Sequence, residues 1–523
     1  MEETAYYNGV IYTADPKKPK TEAFVVRNGV FSLVGTNEDV RHCQNRVDLK
    51  GQCVIPGLVD SHCHMFAGVT QAALDMLSVD EKTKPEELGA ALLRLLEESD
   101  DPGRELVAAM GIDLTAGTFS ARDIDGAVSD RVVLVFSNDG HALLLNSRAM
   151  ERLGIDRTTE DPDQNSFFVR DEYGDPTGLV IEIPAMLRCK SLMDEASGDD
   201  LDEVLSLLAG RYASFGYTTV FEAMSTDEED TQLFETLKDM DERGALPLRI
   251  CTSFGYHGED YVRAEDAVRI MKALRERFRT ENLIPDTLKL IADGTVEEHT
   301  ALLYEPYADD PSNCGSENVS PEEMKLAASL AAKEGFSVHI HAIGDKAVGR
   351  ALDVLCGLGR IHGTKTVAHN QLYRAEDIRR ITEAGDIFFQ TTPHWVELDG
   401  FTRNSLGEER CKKQFPVGTM IKNHVTVTFG SDSCLEENTA NAFLGMYEVL
   451  TNGDAASDRI SCLNAYTING AKQLGVDRVT GSISQGKRAD FVLLDRDLME
   501  CSLEDLKDTA VRETYFGGER VYP

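Results

Sequence analysis

Apolar and polar positions alternate in one dominant pattern through the middle of the chain. Short apolar runs, typical of buried strands, are separated by longer stretches in which apolar residues recur with helical spacing. Eight such runs occur, at residues 58–64, 218–222, 248–252, 287–291, 336–341, 366–369, 387–390 and 425–429. Strands that alternate with helices are typical of βα units, and eight of them predict an α/β fold with a (β/α)8 TIM-type barrel.

Both ends of the chain show a different pattern. Residues 1–55 contain short apolar runs interrupted by Asn8-Gly9 and Asn28-Gly29, which are typical of hairpin turns. The C-terminal end is similar, with strands predicted at 491–495 and 511–516. We therefore expect residues 1–55 and 475–523 to build one small composite β-sandwich, and residues 56–474 to form the barrel domain.

Residues 66–200 separate the first two predicted barrel strands. A loop between a strand and the next helix usually has only a few residues, so this segment is far too long to be one. It contains strand-like runs of its own, such as residues 131–136. We interpret it as a large insertion after the first barrel strand, and we expect it to cover the mouth of the barrel.

The amino-acid composition of the chain limits the classes of molecule that we expect it to bind. The chain has 523 residues, and 90 acidic against 53 basic side chains give it a formal net charge of −37. This charge disfavours nucleic acids and anionic membrane surfaces, and no uninterrupted apolar stretch is long enough to span a bilayer. We expect a small-molecule substrate, no nucleic-acid partner and no membrane partner, while self-association into a homo-oligomer stays open.

Cysteine usage and the N-terminal segment both bear on location. The eleven cysteines are scattered and form no Cys-x-x-Cys pair, which favours free thiols in a reducing compartment. The first residues lack the basic and apolar regions of a secretory signal. Together these features predict a cytoplasmic location.

Side chains that bind metals stand at the C-terminal ends of the predicted barrel strands. His62 and His64 end the first strand two residues apart, so both project from one face and Cys63 from the other. Further candidates lie in or after strands four, five, six and eight: Lys289, His341, His369 and Asp432. Enzymes with this barrel carry their chemistry at this end, and imidazole and carboxylate ligands suit zinc and similar ions. The set predicts a site for one or two divalent metal ions, with zinc as the expected ion.

Several of these residues have alternative interpretations. His339 forms a second His-x-His pair with His341, so either imidazole can be the ligand from strand five. Lys289 can instead pair with a carboxylate such as Asp293, and Asp432 can cap a helix.

Six motifs carry a resemblance to a known family. They are Pro-Gly-Leu-Val-Asp-Ser-His-Cys-His at 56–64, Asn-Asp-Gly-His-Ala at 138–142, Lys-Leu-Ile-Ala-Asp-Gly at 289–294, His-Ala-Ile-Gly-Asp-Lys-Ala at 341–347, Gly-Ser-Asp at 430–432 and Gly-Lys-Arg-Ala-Asp at 486–490. With these motifs the chain resembles the metal-dependent amidohydrolase superfamily. More narrowly, it is similar to the type-3 branch, which includes N-substituted formamide deformylase-like proteins. The resemblance covers nearly the whole chain.

The resemblance implies a role for each predicted ligand. In that family the strand-four lysine, here Lys289, is often carboxylated and bridges two metal ions, and His341 is preferred over His339 because it begins the Ala-Ile-Gly-Asp segment. Relatives tend to carry Glu before the strand-six histidine, whereas this chain has Ala368. The implied reaction is hydrolysis of a C–N bond by a metal-activated hydroxide, with Asp432 as general base and then acid.

The implied substrate is a small amide, N-formyl compound or cyclic amide. We expect substrate contacts from His141 in the insertion and from Trp395, with His394 and Glu182 as further candidates. One alternative is a hydrolytic deaminase on the same barrel, although related deaminases place a Glu shortly after the strand-five histidine. The other alternative is a non-catalytic binding protein with an amidohydrolase-like barrel.

Overall fold

The computed structural model describes residues 3–73, 76–99, 101–114, 117–137, 142–162, 166–192, 201–225, 231–259, 261–396, 400–433, 439–452 and 457–523. The chain forms two compact units. The larger unit comprises Met1–Phe66 and Leu205–Pro523, and the smaller unit comprises Ala67–Val204.

The strands of the described residues are numbered here in chain order. They are β1 (Glu3–Tyr7), β2 (Val10–Tyr12), β3 (Lys20–Thr21), β4 (Ala23–Arg27), β5 (Val30–Gly35), β6 (Asn45–Asp48), β7 (Cys53–Pro56), β8 (Leu58–Cys63), β9 (Leu77–Ser78), β10 (Leu106–Ile112), β11 (Val132–Ser137), β12 (Ala142–Leu145), β13 (Phe167–Arg170), β14 (Pro176–Ile181), β15 (Tyr217–Ser225), β16 (Arg249–Tyr256), β17 (Leu283–Ile291), β18 (Ser337–Ala342), β19 (Lys365–His369), β20 (Ile387–Thr391), β21 (Val427–Phe429), β22 (Phe491–Leu494), β23 (Val511–Phe516) and β24 (Glu519–Tyr522).

The α-helices of the described residues are Met65–Ala73, Pro85–Glu98, Arg122–Asp125, Ser147–Leu153, Ile183–Met186, Leu201–Ser214, Thr231–Glu242, Ala264–Phe278, Pro321–Lys333, Asp345–Gly357, Ala375–Ala384, Gly400–Leu406, Glu408–Cys411, Val417–Lys422, Ala442–Asn452, Arg459–Ala465, Ile468–Gln473 and Leu503–Lys507. Short 3-10 helices occur at Leu187–Cys189 and Pro393–Val396. Of the helices that the structure describes, none combines the length and the apolar character that crossing a bilayer requires.

Eight parallel strands of the larger unit form a barrel. Their order is β21-β20-β19-β18-β17-β16-β15-β8, so each strand lies beside its neighbour along the chain. Hydrogen bonds join the two ends of this sheet, because the Ser61 hydroxyl donates to the Phe429 carbonyl (2.7 Å) and the Asp432 N–H donates to the His62 carbonyl (2.8 Å). The predicted TIM-type barrel is confirmed, and each of the eight predicted runs overlaps one of these strands.

Burial and capping explain why these segments form strands and helices. Every residue of β16 is buried, as expected for a parallel strand covered on both faces, and this includes the polar residues Arg249, Thr252 and Ser253. The helix Pro321–Lys333 begins at a capping box in which Ser320 and Glu323 each accept the other's backbone N–H, with Pro321 in the first turn. Local sequence therefore determines where this helix starts.

Both ends of the chain contribute to one pair of sheets. One sheet, β5-β4-β1-β6, comes from the N-terminal segment, and the other, β24-β23-β22-β7-β2-β3, combines strands from both ends. Phe24, Phe31 and Phe491 meet in their shared aromatic core. The β-sandwich predicted from both termini is therefore present, while its predicted boundaries at residues 55 and 475 stay predictions.

The two predicted hairpin turns have different outcomes. Asn28 and Gly29 have φ angles of 53° and 75° and join antiparallel β4 and β5, as the sequence predicts. The prediction for Asn8-Gly9 is wrong, because β1 pairs with β4 and β6 whereas β2 pairs with β3 and β7. The Asn8 N–H donates to the Asn37 side chain (2.7 Å) instead of closing a hairpin. This dipeptide carries the chain from one sheet to the other.

The smaller unit has a sheet and a core of its own. The strand order is β13-β14-β12-β11-β10-β9, and the predicted run at 131–136 is observed as β11. Helix Pro85–Glu98 contributes Leu88, Leu92 and Leu96 to the core of this unit. The place of this segment over the barrel mouth stays a prediction.

A buried ion pair links the sandwich to the barrel. Arg249 is the first residue of β16, and Asp490 directly precedes β22. Their side chains are 1% and 0% exposed, with 3.2 Å between Arg249 Nη1 and Asp490 Oδ2. Asp490 also accepts hydrogen bonds from the Thr480 hydroxyl (2.7 Å) and the Gly517 N–H (2.8 Å). Removing one member leaves the charge of the other buried without its partner. We therefore expect this removal to cost more stability than the loss of a surface ion pair.

We expect Asp490→Ala to destabilise the protein by about 3–5 kcal/mol, because it leaves the Arg249 guanidinium buried without its counter-charge. The measurement is the midpoint of thermal unfolding. Asp239→Ala is the matched control, since the Asp239–Arg243 pair is 71% and 45% exposed and its loss is expected to cost less than about 1 kcal/mol. Equal shifts in the two variants would contradict the assignment.

Candidate metal centre

The carboxylate of Asp432 lies at the centre of a cluster of imidazoles. Its Oδ1 is 3.2 Å from Nε2 of His62 and 3.3 Å from Nε2 of His64, and its Oδ2 is 3.8 Å from Nδ1 of His369. The ligand atoms of His62, His64 and Asp432 all lie within 4.8 Å of one another. Groups from the first and last barrel strands are therefore close enough to bind one ion.

The remaining predicted ligands join this cluster from the middle strands. Lys289 Nζ lies 3.0 Å from His62 Nε2. The ring of His341 is 4.5 Å from that of His369, which is itself 4.7 Å from the ring of His62. All six residues thus meet at the C-terminal ends of the barrel strands, and their role as ligands stays a prediction.

The donor atoms present fit a divalent metal. Among the described residues, Nδ1 of His369 is buried without a hydrogen-bond partner. A buried polar atom in this state costs free energy, and binding to a cation removes that cost. Imidazole nitrogens and carboxylate oxygens are ligands that zinc and similar ions accept.

The charges in the cluster also suit a cation. Burial lowers the pKa of His62 well below its ordinary value, and the positive charge of Lys289 acts in the same direction. Burial likewise lowers the pKa of His369 to about 4. Burial alone raises the pKa of Asp432, but His369, His64 and Lys289 outweigh it and hold that pKa well below its usual range. At neutral pH the buried imidazoles are therefore neutral, and the carboxylate beside them is ionised.

Lys289 is a buried amine in the same cluster. It is 2% exposed. Burial lowers the pKa of its ammonium group to about 8, while the negative charges of Asp432 and Glu222 oppose that shift without cancelling it. A substantial fraction of this amine is therefore neutral slightly above neutral pH.

Asp293 shapes the loops that follow β17 and β18. Its carboxylate accepts the N–H groups of Leu302 (2.8 Å), Ile343 (3.0 Å) and Gly344 (2.8 Å). Burial outweighs these hydrogen bonds and raises the pKa of Asp293 to about 7. Asp293 thus accepts hydrogen bonds from the backbone of two loops. The sequence left open that Asp293 pairs with Lys289 instead.

Asp60 supports the site and was missed in the sequence. It is completely buried and accepts the N–H of His62 (3.2 Å), the N–H of Ser431 (3.0 Å) and the Ser431 hydroxyl (2.6 Å). Burial raises the pKa of Asp60 to about 6 despite these hydrogen bonds. Asp60 therefore ties His62 to the residue before Asp432. An aspartate directly after the apolar pair Leu58-Val59 of a predicted buried strand was the available signal, because a buried carboxylate needs partners.

Glu222 supports the other side of the first strand and was also missed. This residue of β15 is 1% exposed. Its two oxygens accept the N–H groups of Phe66 (2.7 Å) and Met224 (2.9 Å). It thereby holds the segment that follows His64.

The backbone at the site adopts conformations that are uncommon outside glycine. His369, Asn370 and Asp432 have φ angles of 69°, 48° and 51°. The Asn370 side-chain amide donates to the carbonyls of Val367 (2.7 Å) and Gln390 (3.1 Å), which holds this turn in place. Such conformations cost about 1–3 kcal/mol each and persist only where surrounding contacts enforce them.

The two histidines of β18 lie at different depths. His339 pairs in register with Lys289, and His341 pairs with Ile291, two residues nearer the C-terminal ends of these strands. The His341 side chain is 16% exposed and lies beside His369, whereas His339 is 2% exposed. The His341 side chain therefore lies beside the predicted ligand His369, whereas His339 is more deeply buried and level with Lys289.

The predicted substrate contacts have different surroundings. Trp395 stacks on His369 with ring centres 5.3 Å apart. His394 instead faces helix Ala442–Asn452, with Nδ1 at 3.1 Å from Glu448 Oε2. His141 lies outside the described residues, and Glu182 belongs to the smaller unit.

Comparisons with known proteins agree with this architecture. N-substituted formamide deformylase of Arthrobacter pascens is 26% identical over 565 residues, covering 100% of this chain and 98% of that protein. Exoenzymes regulatory protein AepA of Pectobacterium carotovorum subsp. carotovorum is 29% identical over 444 residues, covering 81% of this chain and 93% of that protein. The crystal structure of an uncharacterized metal-dependent hydrolase from Pyrococcus horikoshii OT3 has the same fold, with a TM-score of 0.75, 23% identity, and coverage of 96% of this chain and 99% of that one.

A match to a family model establishes which protein family the chain belongs to. The model described as the amidohydrolase family matches residues 46–522, a span that includes the barrel and every member of the histidine, lysine and aspartate cluster. Because the match covers most of the sequence, the chain belongs to the amidohydrolase family.

Proposed function

We propose that the protein is a metal-dependent hydrolase that cleaves a C–N bond in a small amide, N-formyl compound or cyclic amide. The observation that supports this most is the convergence of His62, His64 and His369 on the Asp432 carboxylate at the end of the barrel, with Lys289 beside His62. Family membership supports hydrolysis. The C–N bond and the class of substrate are our own proposal.

The proposed metal ligands are His62, His64, Lys289, His341, His369 and Asp432. A divalent ion bound among them supplies a Lewis acid and lowers the pKa of water toward neutrality. Zinc is the ion we propose, because neutral imidazoles and one ionised carboxylate are its usual donors.

Asp432 is proposed to move protons during the reaction. Its pKa is held below the usual range, so the carboxylate is ionised at neutral pH and is able to accept a proton from the attacking water. The same group then delivers that proton to the nitrogen of the leaving amine, which departs as a neutral molecule. One side chain thus serves as base and then as acid.

Lys289 is proposed to be carboxylated. Its neutral ε-amine attacks carbon dioxide, so that one N–C bond forms as one C=O π bond becomes a C–O⁻ and one N–H proton passes to water, which leaves a carbamate with two oxygens in place of the amine. An ammonium cannot ligate a cation, whereas two carbamate oxygens are able to bridge two ions. Burial supports this step because it favours the neutral amine over the charged one.

Trp395 and His141 are proposed to contact the substrate. Trp395 stacks on His369, so a molecule that reaches His369 passes beside the indole. The likeness to N-substituted formamide deformylase over the whole chain favours an N-formyl amine within the proposed class.

The direct test is a panel of N-formyl amines, N-acyl amines and cyclic amides incubated with the zinc-loaded protein. We expect at least one class to be hydrolysed, the open-chain amides to an amine and the matching acid, and the cyclic amides to a single ring-opened amino acid. Failure on every class would contradict the proposed reaction. Metal content separates the alternatives, since about two ions per chain favour the bridged site and one favours a deaminase-like site.

We expect Asp432→Asn to lose about 10²–10⁴-fold of the turnover, because the amide cannot accept the proton of the attacking water. Bound metal, measured by elemental analysis, should stay close to the wild-type amount. Asp353→Asn is the matched control, because the Asp353 side chain is 75% exposed on the outer helix Asp345–Gly357. Full activity in Asp432→Asn would exclude its proposed role.

We expect uptake of carbon dioxide by Lys289 to rise between about pH 7 and 9, because the neutral amine reacts and its pKa is lowered to about 8. An amine with the ordinary pKa of 10.5 is only about 0.3% neutral at pH 8, against roughly half for Lys289. The measurements are metal content with and without bicarbonate and the carbamate signal after ¹³C-bicarbonate labelling. Lys289→Met is expected to lose the signal and the second ion. A variant that binds as many ions as the wild type would show that Lys289 is not the bridge.

A further inference from the structure

The imidazole of His62 makes a different contact at each ring nitrogen. Nε2 faces the predicted ligands, at 3.0 Å from Lys289 Nζ and 3.2 Å from Asp432 Oδ1. Nδ1 faces the other way, at 2.9 Å from Nε2 of His339. The two histidines are 0% and 2% exposed, so water does not compete for this contact.

The location of one proton decides whether His62 is able to bind a metal ion. A neutral imidazole has one N–H and one free lone pair. Metal binding at Nε2 needs the lone pair there, which places the proton of His62 on Nδ1. That N–H then donates to Nε2 of His339, and His339 must carry its own proton on Nδ1. If His339 donates instead, the proton of His62 moves to Nε2 and blocks the metal position.

Packing restricts the movement of His339. The ring of Phe221 lies 5.0 Å from the ring of His339. His339 is also held in register between Lys289 of β17 and Thr366 of β19. A side chain in this position cannot turn toward solvent, so its Nε2 remains directed at His62.

We propose that His339 is a positioning residue that keeps the single proton of the neutral His62 imidazole on Nδ1 and directs His62 Nε2 toward the metal ion. Metal-binding histidines commonly donate their other N–H to a carboxylate, a carbonyl or water, and here a second imidazole accepts it. The inference rests on the proposed function only in requiring a divalent ion at His62. It also assigns the two histidines of β18 different tasks, ligation to His341 and orientation to His339.

Two substitutions separate orientation from packing, with zinc as the probe. His339→Gln keeps an acceptor, because the Gln Oε1 is able to take the position of the imidazole Nε2, whereas His339→Leu has a similar size and no acceptor. We expect His339→Leu to bind zinc about 10–100-fold more weakly than the wild type in competition with a chelator. We expect His339→Gln to stay within about threefold of the wild type. The thermal midpoint of each metal-free variant reports whether it folds.

A second measurement needs no variant at His339. In zinc-loaded protein labelled with ¹⁵N in the histidine rings, we expect long-range proton–nitrogen correlations to show His62 with its proton on Nδ1 and no proton on Nε2. The signals of His62 are identified by their absence from a His62→Asn sample. His362→Gln, at an exposed position, is the control for the labelling pattern and for zinc affinity.

The outcomes distinguish the inference from the proposed function. Wild-type zinc affinity in His339→Leu, equal losses in the Gln and Leu variants, or a proton on Nε2 of zinc-loaded His62 would each overturn the inference. A wild-type protein that binds no zinc would overturn it as well. None of these measurements uses turnover, so a protein that shows the expected affinities and proton position but cleaves no amide refutes only the proposed reaction.

Discussion

The site depends on one constraint. An ionised carboxylate and several neutral imidazoles are buried together, where little water reaches them. Burial keeps the imidazoles of His62 and His369 neutral, and the same burial would neutralise Asp432 if the surrounding nitrogens did not stabilise its negative charge. The barrel provides this environment because its strands are covered on both faces. The positive φ angles of His369 and Asp432 persist for a related reason, since packing and hydrogen bonds leave these residues no relaxed alternative.

Three buried carboxylates beside the ligand cluster hold its parts in place. Asp60 links the first strand to the turn after the last one, Glu222 holds the segment after His64, and Asp293 gathers the loops after the fourth and fifth strands. Each accepts backbone N–H groups, which have few conformational options. The positions of the ligands therefore depend on separate links between the ends of neighbouring strands.

The sequence predicts features that depend on local pattern and misses those that depend on distant partners. Eight strands follow from apolar periodicity, and the six clustered side chains follow from their places at strand ends. Asp60 is different, because its partner Ser431 is 371 residues away, so the local sequence marks the aspartate as unusual without identifying its partner. Asn8-Gly9 has the composition of a hairpin, yet the pairing of β1 and β2 with other strands overrides it. Strand alternation places His339 and His341 on one side, but only register and depth distinguish them.

The sheet that combines strands from both ends of the chain has a consequence for how the protein folds while it is being synthesised. β7, which leads directly into the first barrel strand, pairs with β22 from the far end of the chain. While the ribosome is producing the barrel, β7 exposes an unpaired edge, and such edges are sites where nascent chains associate wrongly. The sandwich is therefore completed only after synthesis of the barrel, so strands that precede the barrel in the chain are among the last to reach their final pairing.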